Sequence, residues 1–177
     1  VGHRSAPWLR DDGQAAGDGA GFEIGHGGRH VAEGKRAAVG TDPAAAVPTD
    51  LRPRLQCDQA AVAGTLAALG LDPDAGRVLV LCVGAEYGPA KRWPAQHFAA
   101  VARHYRAQGW QVWLLGSAKD APAAAAVNAA ADDGCVDLAG RTNLGQACDL
   151  IAAADLVVSN DSGLMHVAAA RGRRVVA

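Results

Sequence analysis

The sequence predicts an α/β fold in which helices cover both faces of a parallel sheet, preceded by an irregular N-terminal segment. From about residue 50, apolar runs of strand length alternate with segments of helical period. The connections are short, which favours right-handed crossovers between parallel strands. The longest strand-like run, RVLVLCV at 77–83, is almost continuously apolar, which is typical of a strand buried on both faces.

The elements follow in a regular order. A first helix is predicted over Gln59–Leu69, where Val62, Leu66 and Leu69 recur at helical spacing and Gly70 ends the helix. The later elements are a strand at Arg77–Val83, a helix opened by Pro94 and ended by Gly109, a strand at Gln111–Leu115, a helix near Ala121–Ala131, a strand at Cys135–Leu138, a helix capped by Thr142, a strand at Leu156–Ser159, a helix at Leu164–Arg171 and a strand at Arg174–Val176.

Residues 1–48 differ from the rest of the chain. They hold ten of the 22 glycines and show neither helical nor strand periodicity, so we expect an irregular or disordered segment. His26 and His30 lie among these glycines, but a solvated loop fits them better than a metal site because no third ligand follows at a recognisable spacing. A patternless run rich in Ala, Gly and Arg is also what a GC-rich gene read out of frame would encode, so we consider a non-native origin for this segment.

Composition excludes several classes of function. The formal net charge is -1 and no Lys/Arg block is present, which argues against a nucleic-acid partner. No stretch approaches the roughly 20 apolar residues of a membrane span, and the first residues lack the apolar core of a secretory signal. The four cysteines form no CxxC pair, so we expect core thiols in a cytosolic protein rather than a zinc site or disulfides.

Two loops at carboxyl ends of predicted strands carry unusual chemistry. The first, after the strand at 77–83, combines Gly84 and Gly88 with the cations Lys91 and Arg92. Glycines permit a close approach of the backbone to a ligand, and cations suit a phosphate or diphosphate. A surface loop with solvated charges is the alternative. No GxGxxG fingerprint is present, which disfavours a hydride-transfer enzyme.

The second loop is the start of NDSGLMHVAAARG at 160–172. Ser162 and Gly163 stand where a helix N-terminus presents N–H groups to an anion. Asp161 would repel an anion there, yet it can accept hydrogen bonds from sugar hydroxyls; its alternative role is a helix N-cap. His166 follows one turn later and faces back toward the loop, although a structural role remains open.

A ligand that carries both phosphates and hydroxyls satisfies the two loops together, because ligands of parallel sheets bind beyond the carboxyl ends of the strands. That describes a nucleotide-sugar. The third carboxyl edge, Gly116–Asp120, adds a weaker candidate contact to the ribose or base.

Four segments resemble one known family. VGAEYGPAKRWP at 83–94, LLGSAKD at 114–120, DLAGRTNL at 137–144 and VVSNDSGLMHVAAA at 157–170 are similar to the ADP-heptose:lipopolysaccharide heptosyltransferases, glycosyltransferase family 9, and most similar to the heptosyltransferase II branch. The likeness covers about Leu51–Ala177. It implies the C-terminal, Rossmann-like donor-binding half of a GT-B fold, with residues 49–177 as that domain.

The resemblance also implies roles for individual residues. Lys91 would bind the diphosphate and heptose of the donor, and Asp161 would hold heptose hydroxyls. The remaining implied donor-binding residues are Gly84, Ala85, Asp120, Ser162, Gly163, Leu164 and His166. Family members transfer L-glycero-D-manno-heptose from ADP-heptose to the lipopolysaccharide inner core, with inversion, at the cytoplasmic face of the inner membrane. No cofactor is implied, and the need for a divalent metal stays open.

Three departures from the family pattern matter. Val83 stands where the family loop usually begins with Pro. Residues 1–48 do not resemble the acceptor domain, which normally supplies the general base. The family also continues beyond the last predicted strand. We therefore expect a fragment that contains no catalytic residue of its own, binds donor weakly and is inactive alone.

Two other functions fit a similar fold. A stand-alone nucleotide-binding module without catalysis would use the same two loops. A sugar-nucleotide epimerase would need its own acid/base pair, which the sequence does not offer.

Overall fold

The computed structural model describes residues 53–85 and 89–177. The predicted irregular segment at 1–48 and the prediction of a solvated loop at His26 and His30 lie outside these residues. Within the described part, the chain forms five α-helices and five β-strands. The helices are α1 Gln59–Leu69, α2 Ala95–Arg106, α3 Ala121–Ala130, α4 Leu144–Ala153 and α5 Gly163–Ala170; the strands are β1 Val78–Cys82, β2 Gln111–Leu115, β3 Val136–Asp137, β4 Leu156–Ser159 and β5 Arg174–Val176.

All five strands are parallel and lie in the order β3-β2-β1-β4-β5. The chain steps outward from β1 to β3 and then returns to place β4 on the other side of β1. At its carboxyl end, Cys82 of β1 is in register with Leu115 of β2 and with Ser159 of β4. The direction of winding therefore reverses between β1 and β4, which is where doubly wound sheets bind ligands.

Two apolar layers cover the sheet, one on each face. Leu79 and Leu81 of β1 face a layer formed with α2 and α3, whereas Val80 and Cys82 face a layer formed with α1, α4 and α5. Every residue of β1 is buried, which explains why its sequence is continuously apolar. Each buried Leu or Val contributes roughly 1.5–3 kcal/mol relative to exposure. The predicted fold class is confirmed.

Local signals account for most element boundaries. Helix α1 begins where the carboxylate of Asp58 accepts a hydrogen bond from the N–H of Ala60 at 2.9 Å. It ends at Gly70, whose φ of 67° lies in the left-handed region that glycine tolerates. The predicted span Gln59–Leu69 is therefore correct.

The predicted cap of α4 is wrong. Asn143, not Thr142, is the N-cap: its side-chain oxygen accepts from the N–H of Gln146 at 2.9 Å, and the Gln146 side chain accepts from the N–H of Asn143 at 3.0 Å. Reciprocal bonds of this kind satisfy two N–H groups of the first turn at once, which favours Asn143 over its neighbour.

Small shifts affect other elements. The hydrogen-bonded part of β1 excludes Arg77, which is exposed, and Val83. The strand β3 is only two residues long, and α5 begins one residue earlier than predicted. All four cysteines are free thiols; Cys82 and Cys135 are buried as expected of core residues, while Cys57 and Cys148 are half-buried.

Candidate functional site

A cleft of about 830 Å³ opens at the reversal between β1 and β4. Its floor includes Cys82 and Leu115, the last residues of β1 and β2. The loop after β1 leads to α2 on one face of the sheet, whereas the turn after β4 leads to α5 on the other face. Because the two connections diverge, they leave space between them for a ligand.

The described residues of the loop after β1, 83–85 and 89–93, are called the β1 loop, and Gly84, Ala85 and Arg92 of this loop form one wall of the cleft. Gly84 is required there: a Cβ at this position would lie 2.6 Å from Oδ2 and 2.7 Å from Cγ of Asp120. The neighbouring Ala85 is buried and also lines the cleft. The loop thus presents backbone rather than large side chains at its entry.

Asp120 is tied to its own loop. Its Oδ2 accepts hydrogen bonds from the N–H of Ser117 at 2.9 Å and from the Ser117 hydroxyl at 2.7 Å. Its Oδ1 lies 4.0 Å from a guanidinium nitrogen of Arg92. Asp120 lines the cleft, and because its carboxylate already contacts Ser117 and Arg92, it helps to fix the shape of the cleft wall.

The β4 turn, Asn160–Gly163, forms the opposite wall together with the first turn of α5. Ser162 is the N-cap of α5, with an extended backbone (φ -144°, ψ 167°), and its side chain caps no N–H group. Ser162, Gly163 and Leu164 all line the cleft. The N-terminal N–H groups and the positive end of the helix dipole therefore lie beside the cleft, as anion binding requires.

An ion pair joins the two walls. Nζ of Lys91 donates to Oδ2 of Asp161 at 2.6 Å, and both side chains are largely exposed. The hydrogen bond and the charge of Lys91 lower the pKa of the Asp161 carboxyl; desolvation opposes them, and the charge of His166 adds a lesser lowering. Since Ser162 is the N-cap, the alternative of Asp161 as a helix cap is excluded.

Asn160 connects the β4 turn to the β1 loop from beneath. Its side chain is buried, donates to the carbonyl oxygens of Val83 at 2.9 Å and Gly84 at 3.3 Å, and accepts from the N–H of Trp93 at 3.0 Å. No role for this residue was predicted from the sequence. Its position directly after an apolar strand is the signal that was available.

The predicted site residues fall into two groups. Gly84, Ala85, Asp120, Ser162, Gly163 and Leu164 line the cleft. Lys91, Asp161 and His166 do not line it; they are exposed and belong to the same loop, turn and helix as the lining residues. The structure therefore brings the two predicted loops together, as the nucleotide-sugar hypothesis requires.

One further wall of the cleft was not predicted from the sequence. Thr142, Asn143 and Leu144, at the turn from β3 into α4, line it, and Leu144 is 55% exposed. Arg92 and Lys119 add positive charge to the lining. Because the carboxyl ends of parallel strands share one edge of the sheet, the turn after β3 is also expected beside the cleft. The Asn-x-x-Gln capping pattern at 143–146 was the local sequence signal for this helix start.

A second hollow, of about 510 Å³, lies near the amino end of β2. Arg103 and Arg106 line it, and both guanidinium groups donate to carbonyl oxygens at the end of α3. Positive charge at a helix C-terminus stabilises the helix, so these arginines have a structural use.

Neither a metal cluster nor a membrane span occurs in residues 53–85 and 89–177. That region contains no group of three His, Cys, Asp or Glu side chains able to hold a metal ion. None of its helices is long and apolar enough to cross a bilayer.

Burial raises the pKa of the Cys82 thiol at the cleft floor to about 12, although a hydrogen bond with Ser159 acts in the opposite direction. The thiol is therefore protonated at neutral pH, and a protonated thiol is a poor nucleophile.

The chain is similar to a family of known proteins. The sequence profile of glycosyltransferase family 9 (heptosyltransferase) matches residues 35–177, a region that begins ahead of Leu51. The lipooligosaccharide heptosyltransferase 2 of Haemophilus influenzae is 46% identical over 138 residues, which are 72% of this chain and 39% of that protein.

Two solved structures are also similar. Escherichia coli ADP-heptose lipopolysaccharide heptosyltransferase II aligns with a TM-score of 0.68 and 43% identity, covering 73% of this chain and 40% of that one. An E. coli heptosyltransferase solved with ADP-2-deoxy-2-fluoro heptose aligns with a TM-score of 0.52 and 27% identity, covering 70% and 38%.

This chain spans about two fifths of the length of these relatives. The profile match covers most of the chain, and it coincides with the parallel sheet and the cleft described above. The chain belongs to glycosyltransferase family 9, the heptosyltransferases.

Proposed function

We propose that this chain is the donor-binding domain of a heptosyltransferase and that its cleft binds ADP-L-glycero-D-manno-heptose. The observation that carries the proposal is the meeting of the two walls, with Lys91 Nζ 2.6 Å from Asp161 Oδ2. A cation and a helix N-terminus suit the diphosphate, and a carboxylate beside them suits sugar hydroxyls. The relative solved with a fluorinated ADP-heptose supports this choice of donor.

The first turn of α5 would bind the diphosphate. Ser162, Gly163 and Leu164 line the cleft at the positive end of the helix. Backbone N–H groups there are fixed in direction before the ligand arrives, so little reorganisation accompanies binding. Arg92 adds a second cation on the opposite wall.

Lys91 would exchange partners when donor binds. In the structure its ammonium group donates to Asp161. A diphosphate placed between the walls competes for that ammonium group, and the Asp161 carboxylate then accepts hydrogen bonds from heptose hydroxyls. Asp161 thus holds Lys91 near the position in which the donor needs it.

The reaction is a displacement at the anomeric carbon of the heptose. An acceptor hydroxyl forms the new C–O bond and loses its proton to a general base; the bond from carbon to the diphosphate oxygen breaks, and ADP leaves. Attack from the opposite side inverts the configuration. Lys91 and the N-terminus of α5 stabilise the negative charge that grows on the leaving diphosphate.

The acceptor is a heptose of the lipopolysaccharide inner core, and the transfer takes place at the cytoplasmic face of the inner membrane. We assign the acceptor site and the general base to a part of the enzyme beyond this chain. The named relatives, which are heptosyltransferases of lipopolysaccharide or lipooligosaccharide, support this assignment.

Calorimetric titration of the chain with ADP and with ADP-heptose tests the proposal. We expect both ligands to bind, and we expect Lys91→Ala to weaken ADP binding about tenfold to a hundredfold, because a charge-assisted hydrogen bond is worth roughly 1.5–3 kcal/mol. Arg174→Ala is the matched control, since it removes an exposed cation from β5, away from the cleft.

Unchanged ADP affinity in Lys91→Ala would remove this residue from the site. Absence of binding by the unmodified chain to either ligand would contradict the proposed function. ADP binding without any turnover of ADP-heptose by the complete enzyme would instead favour a non-catalytic nucleotide-binding module.

A further inference from the structure

We propose that Asn160 is a positioning residue that clamps both ends of the β1 loop and thereby sets where Lys91 and Arg92 stand in the donor site. This inference deepens the proposed function and rests on it. The Asn160 side chain is buried beneath the site, and we do not expect it to contact the donor.

The clamp consists of three hydrogen bonds from one amide. Its Nδ2 donates to the carbonyl oxygens of Val83 at 2.9 Å and Gly84 at 3.3 Å, where the loop leaves β1. Its Oδ1 accepts from the N–H of Trp93 at 3.0 Å, where the loop approaches α2. Residues separated by ten positions in the chain are therefore held by a single side chain of the neighbouring turn.

The chemistry of the clamp selects asparagine. The two partners on one side are carbonyl oxygens, which need a donor, and the partner on the other side is an N–H, which needs an acceptor. Only a carboxamide offers both groups at this length. Asn160 is only 6% exposed, so its amide would be desolvated without compensation if these hydrogen-bond partners were absent.

The consequence for the site follows from the chain order. Lys91 and Arg92 directly precede Trp93, whose N–H the clamp holds, and Asp161 directly follows Asn160. The clamp thus fixes the spacing between the cationic loop and the β4 turn that carries its partner carboxylate. The Lys91–Asp161 pair alone cannot do this, because exposed ion pairs are worth at most about 1 kcal/mol.

Backbone hydrogen exchange tests the clamp without any ligand. In the unmodified chain we expect the Trp93 amide to be protected, and in Asn160→Ala we expect it to exchange at least about tenfold faster, because its acceptor is gone. Asn160→Asp keeps an acceptor for Trp93 but turns an anionic oxygen toward two carbonyl oxygens, so it should release the Val83–Gly84 side. An unprotected Trp93 amide in the unmodified chain would overturn the inference even if neither variant folds.

ADP binding distinguishes a positioning role from a purely structural one. We expect Asn160→Ala and Asn160→Asp to weaken ADP binding about tenfold at a temperature where circular dichroism shows both to be folded. The matched control is Thr65→Val, which removes another buried hydrogen bond, from the Thr65 hydroxyl of α1 to Asp149 of α4 at 2.8 Å; neither residue lines the cleft. It should lower the melting temperature without changing ADP affinity.

The outcomes separate the two proposals. If the Asn160 variants lower stability as Thr65→Val does and leave ADP affinity unchanged, Asn160 is a core amide only and the inference is wrong. If the unmodified chain binds no ADP, the proposed function fails, and the exchange rate of the Trp93 amide alone decides whether the clamp exists.

Discussion

Lys91 and Asp161 are the residues whose interaction is most directly open to measurement. Their contact spans 70 positions of sequence, so it reports on the tertiary arrangement of the two walls. Both side chains are exposed, and the pair therefore adds little to stability. The pair places a cation of the β1 loop beside a carboxylate of the β4 turn, and both of these segments also contribute residues that line the cleft.

The pKa of the Asp161 carboxyl should lie below its ordinary value of 3.8, because the nearby Lys91 ammonium favours the ionised form. A depressed pKa means that the stabilisation is present above pH 3.8 and is lost as the pH falls through the folded-state value. Carbon-detected NMR titration measures this directly. In Lys91→Ala the pKa should rise; an equal pKa in both proteins would show that the ion pair does not form in solution.

The chemical type of ligand that a single residue could bind was predictable from the sequence, whereas its contact partners in the fold were not. Phosphate-binding and hydroxyl-binding types could be recognised in the loops because each type has a limited chemical repertoire. The direct pairing of Lys91 with Asp161 and the three bonds of Asn160 depend on contacts between distant segments. Local sequence holds no information on which distant groups will meet.

Secondary-structure elements explain why the walls of the cleft have their shape. Glycine at position 84 leaves room for the Asp120 carboxylate, which in turn closes the loop that leads into α3 through its bonds to Ser117. Helices α4 and α5 both direct their N-terminal turns at the same space. The cleft is thus built from element ends, where unpaired N–H groups are available.

Gly84→Ala should destabilise the chain by about 1–2 kcal/mol, because the added methyl group displaces Asp120 from its hydrogen bonds. The control is Gly64→Ala. Gly64 is exposed within α1 and no atom lies within 4 Å of its Cβ position, so that change should stabilise by roughly 0.5–1 kcal/mol. Urea denaturation compares the two variants. Equal stability of the two variants would show that the short distance between Gly84 and Asp120 does not require glycine at position 84.

Element types were predictable from periodicity, whereas some ends were not. The boundary of α1 followed from Asp58 and Gly70, which act within one or two residues of the helix. The start of α4 was misjudged because Thr142 and Asn143 are both good caps, and the reciprocal bond with Gln146 decides between them.

The whole molecule depends on the strand order, which places β4 beside β1. The sequence predicts parallel strands and a shared carboxyl edge, but an apolar strand does not specify its neighbour. Any order would bury these runs on both faces. The pairing of β4 with β1 puts the β1 loop and the β4 turn on either side of one cleft, and the predicted site needs that pairing.

Backbone NMR during titration with ADP-heptose shows whether the two walls of the cleft bind one donor molecule. We expect the amide signals of Gly84, Ser162, Gly163 and Leu164 to shift together with a single dissociation constant. Shifts confined to one wall, or centred on the hollow near Trp110 at the other end of the sheet, would contradict it.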